Sequence, residues 1–104
     1  MKSIKSWAEE DRPREKMLAK GKEALSNAEL IAILIGSGNS KETAVDLSKR
    51  ILHDNKDNLI ELSRLTINDL MKYNGIGEAK AVTIAAALEL GRRRRFSEAL
   101  EKPS

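Results

Sequence analysis

The residues of this sequence best suited to chemistry form a short turn between two expected helices, Gly75-Ile76-Gly77, with Lys80 three residues further on. Glycine carries no Cβ, so the two glycines permit a tight turn and leave its N–H groups unshielded. Amides gathered at the N-terminus of a helix bind phosphate groups. Lys80 falls in the first turn of the second helix, where a cation opposes the helix dipole and a phosphate would relieve that cost. The turn therefore predicts phosphate binding.

The apolar and small residues around this turn are typical of a helix–hairpin–helix unit. Ile76 is expected to fill the space between the two helices, and Ala81 is expected to let them cross closely. Such hairpins contact DNA in some domains and serve as plain packing units in others, so both functions stay open. The pattern, read as a whole, is Leu70-x-x-Tyr73-x-Gly75-Ile76-Gly77-x-x-x-Ala81-x-x-Ile84.

A run of four arginines, Arg92-Arg93-Arg94-Arg95, is the second feature with chemical potential. Cations in the last turn of a helix interact favourably with its dipole, so the run is typical of a solvated helix end. The alternative is phosphate contact, although the run lies ten or more positions, and so at least about 15 Å, from the glycine turn along a helix. Four successive helical residues point all round the axis, so at most two share a surface. We take Arg94 and Arg95 as candidate DNA-binding residues together with the turn.

A second Gly-x-Gly segment, Gly36-Ser37-Gly38, occupies an equivalent place in an earlier pair of expected helices. It has Ser37 where an apolar residue should fill the turn, and it continues into a longer polar stretch that contains Lys41. Gly36, Gly38 and Lys41 are thus candidates for a second phosphate-binding hairpin. The alternative, a pseudo-symmetric packing partner for the first unit, is the interpretation that we favour.

Capping residues and apolar spacing divide the chain into helices that position these turns. Ser26 and Glu29 form a capping box, as do Thr66 and Asp69, and both boxes are flanked by leucines. This repetition indicates an internal duplication. The expected helices begin near Pro13 and stop at Gly21, run from the Ser26 box to Gly36, start after a cap at Asn39 or Ser40, cover Leu59–Leu62, and then cover residues 67–73 and 78–95.

The composition favours an all-α fold, a helical bundle with tandem helix–hairpin–helix-like units. Aromatic residues make up 3% of the chain, and Val45 and Val82 are the only valines. Leu, Ile and Ala supply most of the apolar content, and strand-forming residues are scarce. A sheet is therefore not expected, which excludes the RRM and the OB-fold as ways of binding nucleic acid.

Charge is distributed unevenly along a chain whose net charge is +3. Residues 1–63 are neutral, with 11 basic and 11 acidic side chains, whereas residues 64–95 hold 7 basic and 3 acidic ones. A basic segment that contains both the glycine turn and the arginine run indicates a polyanionic partner.

Several functional classes are not expected. The chain has no Cys and one His, so no zinc site is predicted, and no nucleophile–base pair stands out. No segment is long and apolar enough to suggest a membrane span or signal peptide, so a cytoplasmic protein is expected. We expect one helical domain over residues 1–95, with an N-terminal arm of about residues 1–10 and the start of a linker at residues 96–104.

With these segments placed, the chain resembles the N-terminal domain of the RadC family, labelled DNA repair proteins. The resemblance covers about residues 4–95, and Ala8 departs from it where the family usually has Pro. The matching segments are Ile4-Lys5-Ser6-Trp7, Arg12-Pro13-Arg14-Glu15-Lys16, the run ALSNAELIAILIGSG from Ala24 to Gly38, and Gly75-Ile76-Gly77-Glu78-Ala79-Lys80-Ala81.

In that family the helical domain precedes a zinc-dependent JAB/MPN-type domain, to which nothing in this sequence corresponds. The hairpin and the basic segment together predict a non-catalytic domain that binds the DNA backbone weakly and without sequence preference. The only cofactor expected here is a monovalent cation held by carbonyls of the Gly75–Gly77 hairpin, which the resemblance to such hairpins implies, and zinc is expected only in the missing domain. The alternative is a protein-interaction module that orients or dimerises that metallo-domain, which would then be its partner.

Overall fold

The computed structural model describes residues 12–101, which fold into α-helices joined by short turns and loops with no strand in that range. This confirms the all-α fold class. The predicted N-terminal arm lies outside the described residues. The helices are α1 (Pro13–Lys20), α2 (Asn27–Ile35), α3 (Ala44–Asp54), α4 (Leu59–Ser63), α5 (Ile67–Met71) and α6 (Glu78–Glu101), with a 3-10 turn at Lys22–Ala24 between α1 and α2.

Both predicted capping boxes are present and begin the first helix of each unit. At α2, the Glu29 amide donates to Ser26 Oγ at 3.1 Å, and the Ser26 amide donates to Glu29 Oε1 at 2.9 Å. Thr66 and Asp69 make the same reciprocal pair at α5, at 3.0 and 2.9 Å. These local bonds satisfy backbone donors that the helix itself leaves free, so the boxes specify where α2 and α5 start.

The predicted cap of α3 is wrong. Thr43 caps this helix, because its hydroxyl accepts a hydrogen bond from the Asp46 amide at 3.1 Å. Asn39 forms a turn of its own instead, since its Oδ1 accepts from the amides of Lys41 and Glu42 at 2.9 Å each. Asn side chains compete with helices for nearby backbone donors, and here that competition delays the helix until residue 44.

The core lies between the α2–α3 pair and α6. α2 packs chiefly against α3, and α6 crosses α2, α4 and α5. The largest side chains with almost no exposure come from four different helices, which holds the two units together as one core. These side chains are Leu47 and Ile51 of α3, Leu62 of α4, Leu70 of α5 and Ile84 of α6.

The last helix runs further than predicted. We expected it to end near Arg95, but α6 continues to Glu101, and every residue from Gly91 to Glu101 is exposed. Helix-favouring residues follow Arg95, and Arg94 contacts Glu98 one turn later at 2.8 Å. The interpretation of the four arginines as a helix C-terminus is therefore wrong. That a linker to a further domain starts within residues 96–104 stays a prediction.

Candidate nucleic-acid interface

The turn between α5 and α6 has the predicted buried anchor. Ile76 is 3% exposed, and Ala81 and Ile84 on the following helix are fully buried. The Ile76 amide donates to the Tyr73 carbonyl at 3.0 Å, which closes the turn. The burial of Ile76 and Ala81 therefore confirms the packing that the glycine pattern predicted.

The two glycines of this turn serve different purposes. Gly75 has a φ of +100°, and a Cβ there would lie 3.0 Å from the Gly38 carbonyl oxygen, so both conformation and space require glycine. Gly77 lies outside the left-handed region, and a Cβ on it would meet no atom of the described part of the chain within 4 Å. Our expectation that Gly77 is needed for the shape of the turn is wrong. What Gly77 contributes is an unobstructed approach to the backbone beside it.

The backbone that follows Gly77 offers amide donors. The Ala81 amide donates to the Gly77 carbonyl at 3.0 Å, which is the first hydrogen bond of α6. The amides of the residues between them belong to the first helical turn, where no intrahelical acceptor exists. Two of these residues, Glu78 and Ala79, are exposed. This end of α6 can therefore accept an anion, although the Glu78 carboxylate opposes one.

Lys80 is already engaged by the first glycine segment. Its Nζ donates to the carbonyl oxygen of Ser37 at 2.9 Å and to the Ser37 hydroxyl at 3.0 Å. An ammonium group has three donors, so one N–H of Lys80 remains for a further acceptor. The structure therefore places Lys80 between the two glycine segments, a contact across 43 positions that the sequence did not suggest.

The first glycine segment differs in shape from the second. Gly36 ends α2 with a φ of +75°, and a Cβ on Gly38 would overlap the Glu42 carbonyl oxygen. Lys41 is exposed, and its amide is used within the loop. This segment folds back on itself and packs its backbone against Gly75. Phosphate binding by Gly36, Gly38 and Lys41 stays a prediction.

Asn39 is the residue that sequence reasoning misjudged, since we considered it only as a helix cap. Its Nδ2 donates to the Asn74 carbonyl at 2.8 Å and to Glu42 Oε1 at 3.0 Å. It thus links the loop after α2 to the residue that begins the second glycine turn. An amide side chain between a Gly-x-Gly segment and a helix was the available signal, because such a group can both donate and accept.

A polar network supports this link from α3. Arg50 donates to both carboxylate oxygens of Glu42 at 2.9 Å, and these bonds, with that from Asn39, lower the pKa of Glu42 to about 2. The Arg50 guanidinium also lies over the Tyr73 ring, 5.3 Å from its centroid. The Tyr73 hydroxyl donates to Asp54 at 2.9 Å. Burial of the ring, and to a lesser extent the Asp54 carboxylate, raises the pKa of Tyr73.

The arginine run is partly neutralised by neighbouring acids. Arg92 and Arg93 both contact Glu89, at 2.9 and 2.8 Å, and they lower the pKa of Glu89 to about 2. Arg94 contacts Glu98. Arg95 makes no ion pair within residues 12–101, which leaves it the most available of the four.

The part of the chain that the structure describes contains neither a metal-binding cluster nor a membrane-spanning helix. No group of three His, Cys, Asp or Glu side chains there is placed to hold a metal ion. No described helix is both long enough and apolar enough to cross a membrane. Binding of a monovalent cation by the Gly75–Gly77 carbonyls stays a prediction.

Comparison with known proteins identifies relatives of this chain. Residues 4–82 match the family model described as UPF0758 N-terminal. A UPF0758 protein of Flavobacterium johnsoniae is 60% identical over 99 residues, which cover 95% of this chain and 43% of that protein. A UPF0758 protein of Porphyromonas gingivalis is 49% identical over 92 residues, covering 88% of this chain and 40% of that protein. UPF0758 designates the RadC family, so the resemblance noted from the sequence is confirmed.

The chain spans about two fifths of the length of these relatives. A third relative, from Clostridioides difficile, is 48% identical over 90 residues, which cover 86% of this chain and 38% of that protein. No solved structure matches the chain at a significant level.

Proposed function

This chain belongs to the UPF0758 family as an N-terminal domain, and we propose that it binds the phosphate backbone of DNA without sequence preference. The observation that carries the proposal is the open backbone at Gly77, directly before the helical turn that carries Lys80. A phosphate placed there would accept hydrogen bonds from the first-turn amides of α6 and from the remaining N–H of Lys80. Contacts of this kind fix the position of a protein on DNA but do not distinguish bases.

The helical spacing of α6 supports a second contact region at Arg94 and Arg95. With 3.6 residues per turn, Arg94 and Arg95 lie about 40° and about 60° to either side of Lys80 around the helix axis, about 21 Å further along it. Arg92 and Arg93 point more than about 100° away and are paired with Glu89. Arg94 and Arg95 are thus the two arginines that share the Lys80 side of the helix.

The charge balance of the turn indicates weak binding. Glu78 stands at the same helix end as the amide donors, and Arg94 is shared with Glu98. A site that neutralises two or three phosphates should bind with a Kd in the range of about 10⁻⁴–10⁻⁶ M at physiological salt. The logarithm of the association constant should then fall with the logarithm of salt concentration with a slope of about −2 to −3.

Two substitutions separate the contributions of charge and backbone. Lys80→Gln removes the ammonium charge but keeps a donor for Ser37, and it should reduce the salt slope by about one unit for every duplex sequence. Gly77→Val places a branched side chain next to the amides, and its Cβ would meet no atom of the described residues within 4 Å, so the change should weaken binding more than it affects folding. Binding is measured by fluorescence anisotropy of labelled duplexes of two unrelated sequences, over a series of salt concentrations.

A matched control is Lys49→Gln, which removes an exposed lysine of α3, a helix that supplies none of the proposed phosphate contacts. This control should leave the slope within the error of the wild-type value. The proposed function fails if the wild-type chain shows no salt-dependent binding at low ionic strength. It also fails if Lys80→Gln and Gly77→Val behave like the control.

We propose in addition that hairpin carbonyls of Gly75–Gly77 hold a monovalent cation when DNA is bound. Such an ion would add a positive charge beside the phosphate. DNA affinity should then be higher in potassium chloride than in tetramethylammonium chloride of the same ionic strength, because the larger cation cannot enter a ring of carbonyls. Equal affinities in the two salts would exclude the ion.

A second candidate function rests on the exposed end of α6. Phe96 and Leu100 are 61% and 71% exposed on a helix that has left the core, although large apolar side chains gain free energy when they are covered. The relatives of this chain are more than twice as long as the matched region. We propose as the alternative that this helix end orients or pairs the metallo-domain that the RadC family carries.

The alternative is tested in a full-length polypeptide that contains this chain. Replacing Phe96 and Leu100 by Ser should speed protease cleavage between the two parts, or shift a dimer to monomer in light scattering, if their side chains are covered there. The matched control is Leu18→Ser, because Leu18 is also an exposed large apolar residue, at 88%, but lies on α1. Unchanged cleavage and unchanged mass would exclude the alternative.

A further inference from the structure

The two glycine segments form one assembly in which the first holds the second. A Cβ at Gly75 would lie 3.0 Å from the carbonyl oxygen of Gly38, so the two backbones approach each other closely at this point. Asn39 reaches across this contact to the Asn74 carbonyl at 2.8 Å. The residue that receives this bond immediately precedes Gly75, so its position determines where the turn begins.

Asn39 is itself held in place by both ends of its side chain. Its Oδ1 accepts from two amides of its own loop, and its Nδ2 donates to Glu42 as well as to Asn74. Glu42 is in turn held by the two bonds from Arg50. The Asn39 side chain therefore cannot rotate without breaking hydrogen bonds of both its oxygen and its nitrogen.

The network returns to the turn through an aromatic ring. Arg50 lies over Tyr73, the residue before Asn74, and the Tyr73 carbonyl accepts the bond that closes the turn at Ile76. The chain of contacts therefore runs from Asn74 through Asn39, Glu42 and Arg50 back to the same segment. A closed circuit of this kind restrains the turn more strongly than one hydrogen bond would, because its members orient one another.

We propose that Asn39 is a positioning residue that fixes the Gly75–Gly77 turn in the orientation in which its amides meet a phosphate. This inference rests on the proposed DNA-binding function and adds the part of the molecule that orients the site. Asn39 touches no phosphate itself in this scheme. The first glycine segment then acts as the support of a single binding turn, and its own backbone is occupied by that task.

The test uses Asn39→Asp with a charge-matched control. The aspartate keeps an oxygen for the loop amides but loses the donor to Asn74, and it faces the Glu42 carboxylate. Ser40→Asp adds the same charge one residue away, at an exposed side chain that makes no hydrogen bond within residues 12–101. Asn39→Ser is a second variant, which adds no charge. Its short hydroxyl can accept from the loop amides but cannot reach the Asn74 carbonyl.

Two quantities are measured on the whole chain. Hydrogen exchange at the Ile76 amide reports on the turn, and it should become about tenfold faster or more in both Asn39 variants while the control resembles wild type. DNA affinity should fall about threefold to tenfold in Asn39→Ser, and in Asn39→Asp it should fall by the same factor beyond the loss in the control. Circular dichroism verifies that the helices persist.

The outcomes are distinguishable. Unchanged exchange at Ile76 overturns the proposal, whatever happens to DNA affinity. The proposal is also overturned if exchange at Ile76 is faster but Asn39→Ser binds DNA as tightly as the wild type and Asn39→Asp as tightly as Ser40→Asp. In that case DNA binding by the wild type would still support the proposed function. If the wild type binds no DNA, the proposed function fails, and the exchange of Ile76 still decides whether Asn39 holds the turn.

Discussion

Replacing Ile76 by Ala should destabilise the protein far more than its place in a short turn would suggest. Ile76 is 3% exposed and belongs to the same apolar cluster as Leu47, Leu70 and Ile84. The change removes three carbons, worth about 0.8 kcal/mol each when buried, which gives about 2.4 kcal/mol. Incomplete collapse of the cavity adds to this loss, so we expect about 3 kcal/mol within the usual range of about 2–5 kcal/mol.

A loss of this size is easily measured in a domain whose total stability should be about 5–15 kcal/mol. Urea unfolding followed by circular dichroism should show a midpoint lowered by about 1–3 M with an unchanged slope. The thermal midpoint should fall by more than about 10 °C. An unchanged slope matters, because it shows that the native and unfolded states keep their compactness.

The matched control is Val82→Ala on the same helix. Val82 is 50% exposed, and Ala is the better helix former, so this change should alter stability by less than about 0.5 kcal/mol. If Ile76→Ala also costs less than about 1 kcal/mol, Ile76 does not anchor the two helices. The explanation of the turn given above would then be wrong.

Three further predictions concern the same region. Gly75→Ala should lower the free energy of unfolding by more than about 1 kcal/mol in urea titrations, because of its φ and the nearby Gly38 oxygen, whereas the same change at Gly77 should cost less. The low pKa of Glu42 stabilises the fold above pH 4.5, so the stability lost in Glu42→Gln should shrink as the pH falls towards 2. Glu78→Gln should strengthen DNA binding at low salt in anisotropy titrations, and no change would place the phosphate elsewhere.

Local chemistry made much of the fold predictable from the sequence. The capping boxes at Ser26 and Thr66 act over three residues, so their residue types suffice to locate the starts of α2 and α5. The burial of Ile76 and Ala81 follows from apolar and small residues at helical spacing around a glycine turn. The all-α fold class follows from the composition, since helix formers dominate the chain and strand formers are scarce.

Helix ends were less predictable where no strong stop signal lies nearby. Gly21 and Gly36 stop α1 and α2 as expected, because each takes the positive φ that other residues avoid. After Arg95 no glycine or proline occurs before Pro103, so nothing in the local sequence ended α6 there. For α3 the error arose because Asn39 had two possible local uses, and residue type alone did not choose between them.

The relation between the two glycine segments was decided by the tertiary structure alone. Asn39 and Asn74 are separated by 35 positions, and Lys80 and Ser37 by 43, so their hydrogen bonds exist only because packing of α6 on α2 brings the segments together. The same packing requires glycine at position 75, whereas a Cβ at position 77 would meet no atom of residues 12–101 within 4 Å. The sequence by itself determined that a glycine turn with a buried isoleucine would join two helices. The tertiary structure decided which of its groups are held, which are open, and which loop supports them, because these depend on distances between segments that no local pattern encodes.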